Sequence, residues 1–191
     1  IDRTITPLIR NHLGRGRVIV LYGPRRVGKT TVARQLLAEA PESEQLYLNC
    51  DEMVTADALK PTSLAALERV IGQAKCIVID EAQRVENIGL TLKLLIDTHP
   101  ELDIIATGSS SFDLAGKVKE PLTGRAYEFM LTPLSLDEIK RYFNYNDLQM
   151  QTLLPRLLRL GSYPGIVLTD DNRADEEIIA LANNYVYKDS L

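Results

Sequence analysis

The residues Gly23-Pro24-Arg25-Arg26-Val27-Gly28-Lys29-Thr30-Thr31 have the spacing of a phosphate cradle, Gly-x-x-x-x-Gly-Lys-Thr. Each fixed position has a chemical reason. Gly23 can end a strand in a tight turn, and Gly28 has no side chain, so the backbone can close around a phosphate. Successive N–H groups then point inward, and the following helix adds its positive end. Lys29 can bridge the β- and γ-phosphates of a nucleoside triphosphate, and the Thr30 hydroxyl can bind magnesium. The plainer reading is a glycine turn with an incidental lysine. The Arg25 and Arg26 backbone is expected to wrap the phosphate. Their side chains are either solvated charge or a contact for a partner domain or neighbouring subunit.

A second constellation lies in Cys76-Ile77-Val78-Ile79-Asp80-Glu81, an apolar run ending in two acids. This is the Walker B form. Asp80 is expected to hold magnesium opposite Thr30, and Glu81 to orient or deprotonate an attacking water. An ordinary strand with an acidic turn is the plainer alternative. A third run, Asp103-Ile104-Ile105-Ala106, ends in Thr107-Gly108-Ser109-Ser110-Ser111. A hydroxyl there, on Thr107 or Ser109, is placed to sense a γ-phosphate or hold the water. The alternative is a Gly/Ser loop whose serine caps a helix starting near Phe112.

Strands must carry these residues to one edge, and helices must return the chain between them. The apolar, β-branched run 17–22 reads as a buried central strand, and helical spacing after the loop predicts a helix over 29–40, stopped by Pro41. A leading helix is expected over 4–13, strands over 45–50, 76–80 and 103–106, and a final strand over 126–131. Helices are expected over 63–74 and around Leu90–Ile96, the latter closed by Pro100. Alternating strands and helices imply an α/β fold, a parallel sheet with helices on both faces. Ligand then sits beyond the strand carboxyl ends, where the motifs converge. After Pro133 the pattern is all helical, over 134–143, 150–160 and 175–186. The expected division is a core over 1–134 and a small helical lid over 135–191.

Composition removes several alternatives. The net charge of −4 and pI near 5.3 do not suit electrostatic nucleic-acid binding. Aromatic residues make up 6% and tryptophan is absent, which argues against base-stacking platforms. Cys50 and Cys76 fall in predicted strands without metal spacing, and His12 and His99 offer no cluster, so buried reduced thiols are expected. No apolar run approaches membrane-spanning length and no signal peptide is visible, so the cytoplasm is the expected location. The chain starts at Ile1 without Met and ends just after a helical stripe, so it is expected to be part of a longer protein.

These motifs together resemble prokaryotic P-loop NTPases of the AAA+ type, in the additional-strand class. More narrowly, they resemble archaeal and bacterial ATPases that open with Gly-Pro-Arg-Arg-x-Gly-Lys-Thr-Thr. The likeness runs through Gly23–Thr31, Asp80-Glu81-Ala82-Gln83, Thr107–Ser111, Leu122-Thr123-Gly124-Arg125, Leu131–Glu138 and Gly161-Ser162-Tyr163-Pro164. The resemblance implies ATP and Mg2+ as ligands, and winged-helix and nuclease-like domains following this one as partners. It also implies that Arg125 could reach a γ-phosphate, in cis or from a neighbouring subunit of a homo-oligomer. The alternative for Arg125 is a strand-edge arginine paired with Glu128 or Glu120. Pro164 could lie against adenine, although Ser162 departs from the family's usual second glycine. Otherwise Gly161 caps a helix and Pro164 starts an extended turn.

The expected function is Mg-dependent ATP binding and hydrolysis, with a regulatory or mechanochemical role in a longer protein. The alternatives are a slow ATP/ADP-gated switch, a small-molecule kinase, and a nucleic-acid motor. The Asp80-Glu81 pair speaks against the kinase and the acidic charge against the motor.

Overall fold

The computed structural model describes residues 1–60, 63–109, 121–170 and 173–180. Five strands are formed by β1 (Val18–Tyr22), β2 (Gln45–Asn49), β3 (Cys76–Asp80), β4 (Asp103–Gly108) and β5 (Ala126–Met130). They pair in the order β2-β3-β4-β1-β5, and every pairing is parallel. The strand that carries the Thr107 hydroxyl therefore lies between the two that carry the loop and the acidic pair. This is the additional-strand arrangement expected above.

The central strands are buried on both faces, which is why they read as continuous apolar runs rather than alternating ones. Side chains alternate between faces. Val18, Val20, Ile77, Ile79, Ile104 and Ala106 pack with Leu59, Leu67, Ile71, Ile88, Leu92 and Leu95. These partners come from the end of α3 (Met53–Ala58), from α4 (Leu64–Ile71) and from α5 (Ile88–Thr98). Ile19, Leu21, Val78 and Ile105 face the other way and are fully buried. On that side α2 (Lys29–Leu37) packs across β2, β3 and β4, and α1 (Ile5–Arg10) packs on α2. Helices thus cover both faces.

Local signals explain the element ends. Ser63 accepts a hydrogen bond from the Ala66 N–H and starts α4, and Gly72 ends it at φ 55°. α3 was not anticipated; its only buried residue is Ala56, so it carries no apolar stripe to read. Cys50 and Cys76 are free, buried thiols. Burial and nearby carboxylates push their pKa values up to about 12 and about 11.

The chain divides into two compact units, residues 4–132 and residues 1–3 with 133 onward. The second unit contains α6 (Leu136–Phe143), α7 (Asp147–Leu160) and the one-turn α8 (Pro164–Val167). Capping boxes open α6 at Ser135 with Glu138 and α7 at Asn146 with Gln149. Glu138 also receives the Arg3 guanidinium, Nε to Oε1 at 3.1 Å, with both side chains buried. Leu134, Ile139, Leu157 and Val167 form the small core there. Gly161 ends α7 at φ 80°, as expected, but Pro164 opens a helix rather than an extended turn. Its fixed φ and missing N–H suit the first position of a helix. Residues 173–180 are helical, and the rest of the helix expected over 175–186 lies outside the described residues. Among the described residues, no helix is long and apolar enough to cross a membrane.

Candidate functional site

The loop leaves β1 at Gly23, whose φ is 152°. A Cβ there would lie 2.1 Å from the Leu131 carbonyl oxygen, just past β5, so only glycine fits. Arg26 at φ 63° and Gly28 at φ 99° turn the chain back, and the fully buried Val27 anchors the turn between them. Gly28 caps α2 without a side-chain hydrogen bond, which leaves the first-turn N–H groups facing the loop. Pro24 and Arg25 are half-buried, and Arg26 and Thr31 are exposed.

Lys29 curls over its own loop. Only 5% exposed, its Nζ donates to the Gly23 carbonyl at 3.0 Å and the Pro24 carbonyl at 2.9 Å. Desolvation lowers its pKa and Arg25 adds to that, while Glu81 and Asp80 act to raise it. A desolvated ammonium held in this way can exchange two carbonyl contacts for phosphate oxygens.

Asp80 ties the loop to the neighbouring strands. Thr30 Oγ1 donates to its carboxylate, 2.9 Å from Oδ2 and 3.2 Å from Oδ1. Tyr47 on β2 donates its phenol to Oδ2 at 2.5 Å, and Thr107 on β4 donates to Oδ1. Burial, and then the bond to Asp80, raise the Tyr47 pKa, and the Arg34 guanidinium lies 4.1 Å from the Tyr47 ring centroid. The contribution of Tyr47 is not visible in sequence, because it depends on the register that sets Tyr47 opposite Val78. The Thr107 hydroxyl also accepts the Glu81 N–H at 3.1 Å. Its single proton goes to Asp80, so Thr107 acts as a strut between β3 and β4.

Glu81 stands at φ 53°, ψ 42°, a left-handed conformation rare for a residue with a side chain. Its Oε2 accepts from Gln83 Nε2 at 2.5 Å, and the same amide nitrogen donates to Ser109 Oγ at 3.1 Å. Gln83 belongs to the Asp-Glu-Ala-Gln block but had no role on sequence grounds. Ser110 and Ser111 lie outside the described residues.

One expected site residue is not brought here. Arg125 precedes β5, and its carbonyl accepts the Val18 N–H at the amino edge of the sheet. The loop, Asp80 and Thr107 lie at the carboxyl edge, a full strand of roughly 17 Å away. The cis placement of Arg125 at a γ-phosphate therefore does not hold in this chain. Its partner is Asp97, Nε to Oδ1 at 2.5 Å, rather than Glu128; Glu120 lies outside the described residues. Pro164 belongs to the helical unit.

The donor set suits a magnesium nucleotide. Magnesium takes one or two hard oxygen ligands from protein and keeps waters for the rest. Thr30 and Asp80 supply such oxygens side by side, and no larger metal-binding cluster occurs among the described residues. Residues 15–140 match the AAA domain family (AAA_14). Among relatives, the uncharacterized protein MJ1544 of Methanocaldococcus jannaschii is 27% identical over 85% of this chain and 39% of its own length. The curated relatives are matched over only 28% to 45% of their lengths, so this chain spans less than half of each. The Walker-type ATPase PABY2304 of Pyrococcus abyssi superposes with a TM-score of 0.61 at 18% identity, covering 97% of this chain and 73% of that one. AMPPCP-bound DnaA from Aquifex aeolicus gives 0.52 at 18% identity, covering 95% and 60%. With the strand order, the loop and the acidic pair in agreement, this chain belongs to the AAA domain family, on a P-loop NTPase fold.

Proposed function

We propose that this domain binds ATP with Mg2+ at the Gly23–Thr31 loop and hydrolyses the β–γ bond, energising the rest of a longer protein. The observation that carries the reading is the contact of Thr30 Oγ1 with the Asp80 carboxylate, with Glu81 the next residue along. It joins the metal-binding hydroxyl, the metal-binding carboxylate and a candidate general base at one edge of the sheet.

The geometry supports the following roles. The loop N–H groups and Lys29 bind the triphosphate, Lys29 by releasing the Gly23 and Pro24 carbonyls. Thr30 and Asp80 hold the metal, which when bound neutralises charge developing on the phosphate oxygens. Glu81 accepts a proton from the attacking water. Ser109 is the better candidate for sensing the γ-phosphate, because Thr107 has committed its proton to Asp80. A role for Arg125 survives only in trans, toward the site of a second copy.

Phosphate release and nucleotide binding are the measurements that decide. Lys29→Ala is expected to lose nucleotide binding, and Glu81→Gln to keep binding while turnover falls about 10²- to 10⁴-fold. If Lys29→Ala retains nucleotide with wild-type affinity, the site assignment is wrong. If Glu81→Gln hydrolyses ATP at the wild-type rate, Glu81 is not the base.

A further inference from the structure

Gln83 is a side chain at this site that the reaction described so far does not use. Its position is tightly set. It sits in the short 3-10 turn Ala82–Arg84, directly after the left-handed Glu81. Ala82 and Val85 on either side are fully buried in the main core. The turn packs on β4. The backbone at 83 is therefore held on both sides.

From that position one amide nitrogen makes two contacts. It donates to Glu81 Oε2 at 2.5 Å and to Ser109 Oγ at 3.1 Å. An amide NH2 carries two protons, so both bonds form at once. Ser109, by accepting here, keeps its own hydroxyl proton available for another acceptor. A carboxylate held through one oxygen presents the other in a fixed direction. Without that bond the Glu81 side chain has several staggered rotamers available, since its backbone fixes only the first atoms. No other hydrogen bond holds the Glu81 carboxylate among the described residues.

We propose that Gln83 is a positioning residue for hydrolysis: it fixes the Glu81 carboxylate and ties it to Ser109 at the end of β4. Glu81 and Ser109 then respond as a unit to whatever occupies the space beyond β3 and β4. The proposal rests on the reading of Glu81 as the general base. Gln83 touches neither nucleotide nor metal in this account, so its loss acts on turnover and not on binding.

The test compares Gln83→Ala, Gln83→Met, Ser109→Ala, Glu81→Gln and the Gln83→Met/Glu81→Gln double variant. The readouts are steady-state ATP hydrolysis and the Kd for a fluorescent ATP analogue. Methionine keeps length and volume but donates no hydrogen bond. Gln83→Met and Gln83→Ala are expected to lower kcat about 10- to 100-fold, the effect of misplacing a catalytic group by about 1 Å. Nucleotide Kd is expected to stay within about twofold of wild type. In the Glu81→Gln background, Gln83→Met is expected to have no further effect, because no base remains to position. A packing role would give an additive loss there instead, and would raise Kd. Wild-type kcat in Gln83→Met, or an additive loss in the double variant, overturns the proposal while leaving Glu81 as the base. Wild-type kcat in Glu81→Gln overturns the reading beneath it.

Discussion

Replacing Gly23 with alanine tests whether the loop depends on the end of β5. The added Cβ would meet the Leu131 oxygen at 2.1 Å, its carbonyl carbon at 3.0 Å and its nitrogen at 3.3 Å. Contacts below 3.0 Å force a shift, so about 0.9 Å of movement is the minimum. The obstacle is backbone, and the Leu131 N–H is already bonded to the Tyr22 carbonyl at 2.8 Å, so it cannot swing aside as a side chain would. Overpacking of this kind costs about 1–3 kcal/mol. A positive φ in a residue with a Cβ adds about 1–2 kcal/mol. The sum is a large part of a domain's net stability of about 5–15 kcal/mol. A fall in Tm of about 10 °C is expected by circular dichroism. If the loop absorbs the movement, the Kd for an ATP analogue rises about tenfold or more, equivalent to about 1.4 kcal/mol of lost binding. Gly14→Ala is the control, since Gly14 also has positive φ, +70°, but nothing lies within 4 Å of its added Cβ. It is expected to show the backbone cost alone. If Gly23→Ala melts with Gly14→Ala and binds nucleotide like wild type, the β5 contact does not shape the loop.

Two further outcomes follow from groups away from the loop. Arg125→Ala removes an exposed pair with Asp97 and is expected to leave both Tm and the hydrolysis rate of dilute protein unchanged. A rate loss that emerges only as protein concentration rises would assign Arg125 a role in trans. The buried thiols set an alkaline limit. Unfolded, they ionise near pH 9; folded, Cys76 keeps its proton to about 11 and Cys50 to about 12. The native chain therefore binds more protons between these values, and stability falls as pH rises above about 9. Denaturant titrations from pH 8 to 10.5 are expected to show a steeper decline for the wild type than for Cys76→Ala or Cys50→Ala. Comparing slopes cancels the opposite contribution of Lys29, whose lowered pKa is common to all three proteins. Equal slopes would mean the thiols are not protected by burial.

The parts legible in sequence were those whose chemistry is written locally. Gly23, Gly28, Lys29 and Thr30 are adjacent in the chain, so spacing alone carried the loop. Asp80 and Glu81 ended an apolar run, and Thr107 and Ser109 ended another, so the parallel-sheet argument placed both at one edge. What stayed hidden depends on lateral register. Tyr47 reaches Asp80 only because β2 pairs with β3 as it does, and Leu131 presses on Gly23 only because β5 pairs with β1. Arg125 shows the same limit from the other side. Its residue type suited phosphate, but lying before a strand rather than after it put it at the wrong edge. Residues 1–3 group with the helical unit, where Arg3 pairs with the buried Glu138, a contact between distant parts of the chain that no local pattern could signal.

The central place of β1 has a consequence for how the molecule comes into being. β1 is the first strand of the chain, yet both its neighbours, β4 and β5, are among the last elements of the sheet unit. β2, β3 and β4 can pair in the order they are made. β1 must wait, its apolar side chains without a sheet to join, until almost the whole unit has left the ribosome. The pairing that finally places it closes the longest loops in the sheet, the slow kind of step in folding. Gly23 acquires its tight contact only when Leu131 arrives. The capacity to bind a nucleotide is thus encoded near the beginning of the sheet unit and completed near its end. A ribosome paused before β5 would carry the motif without the cradle.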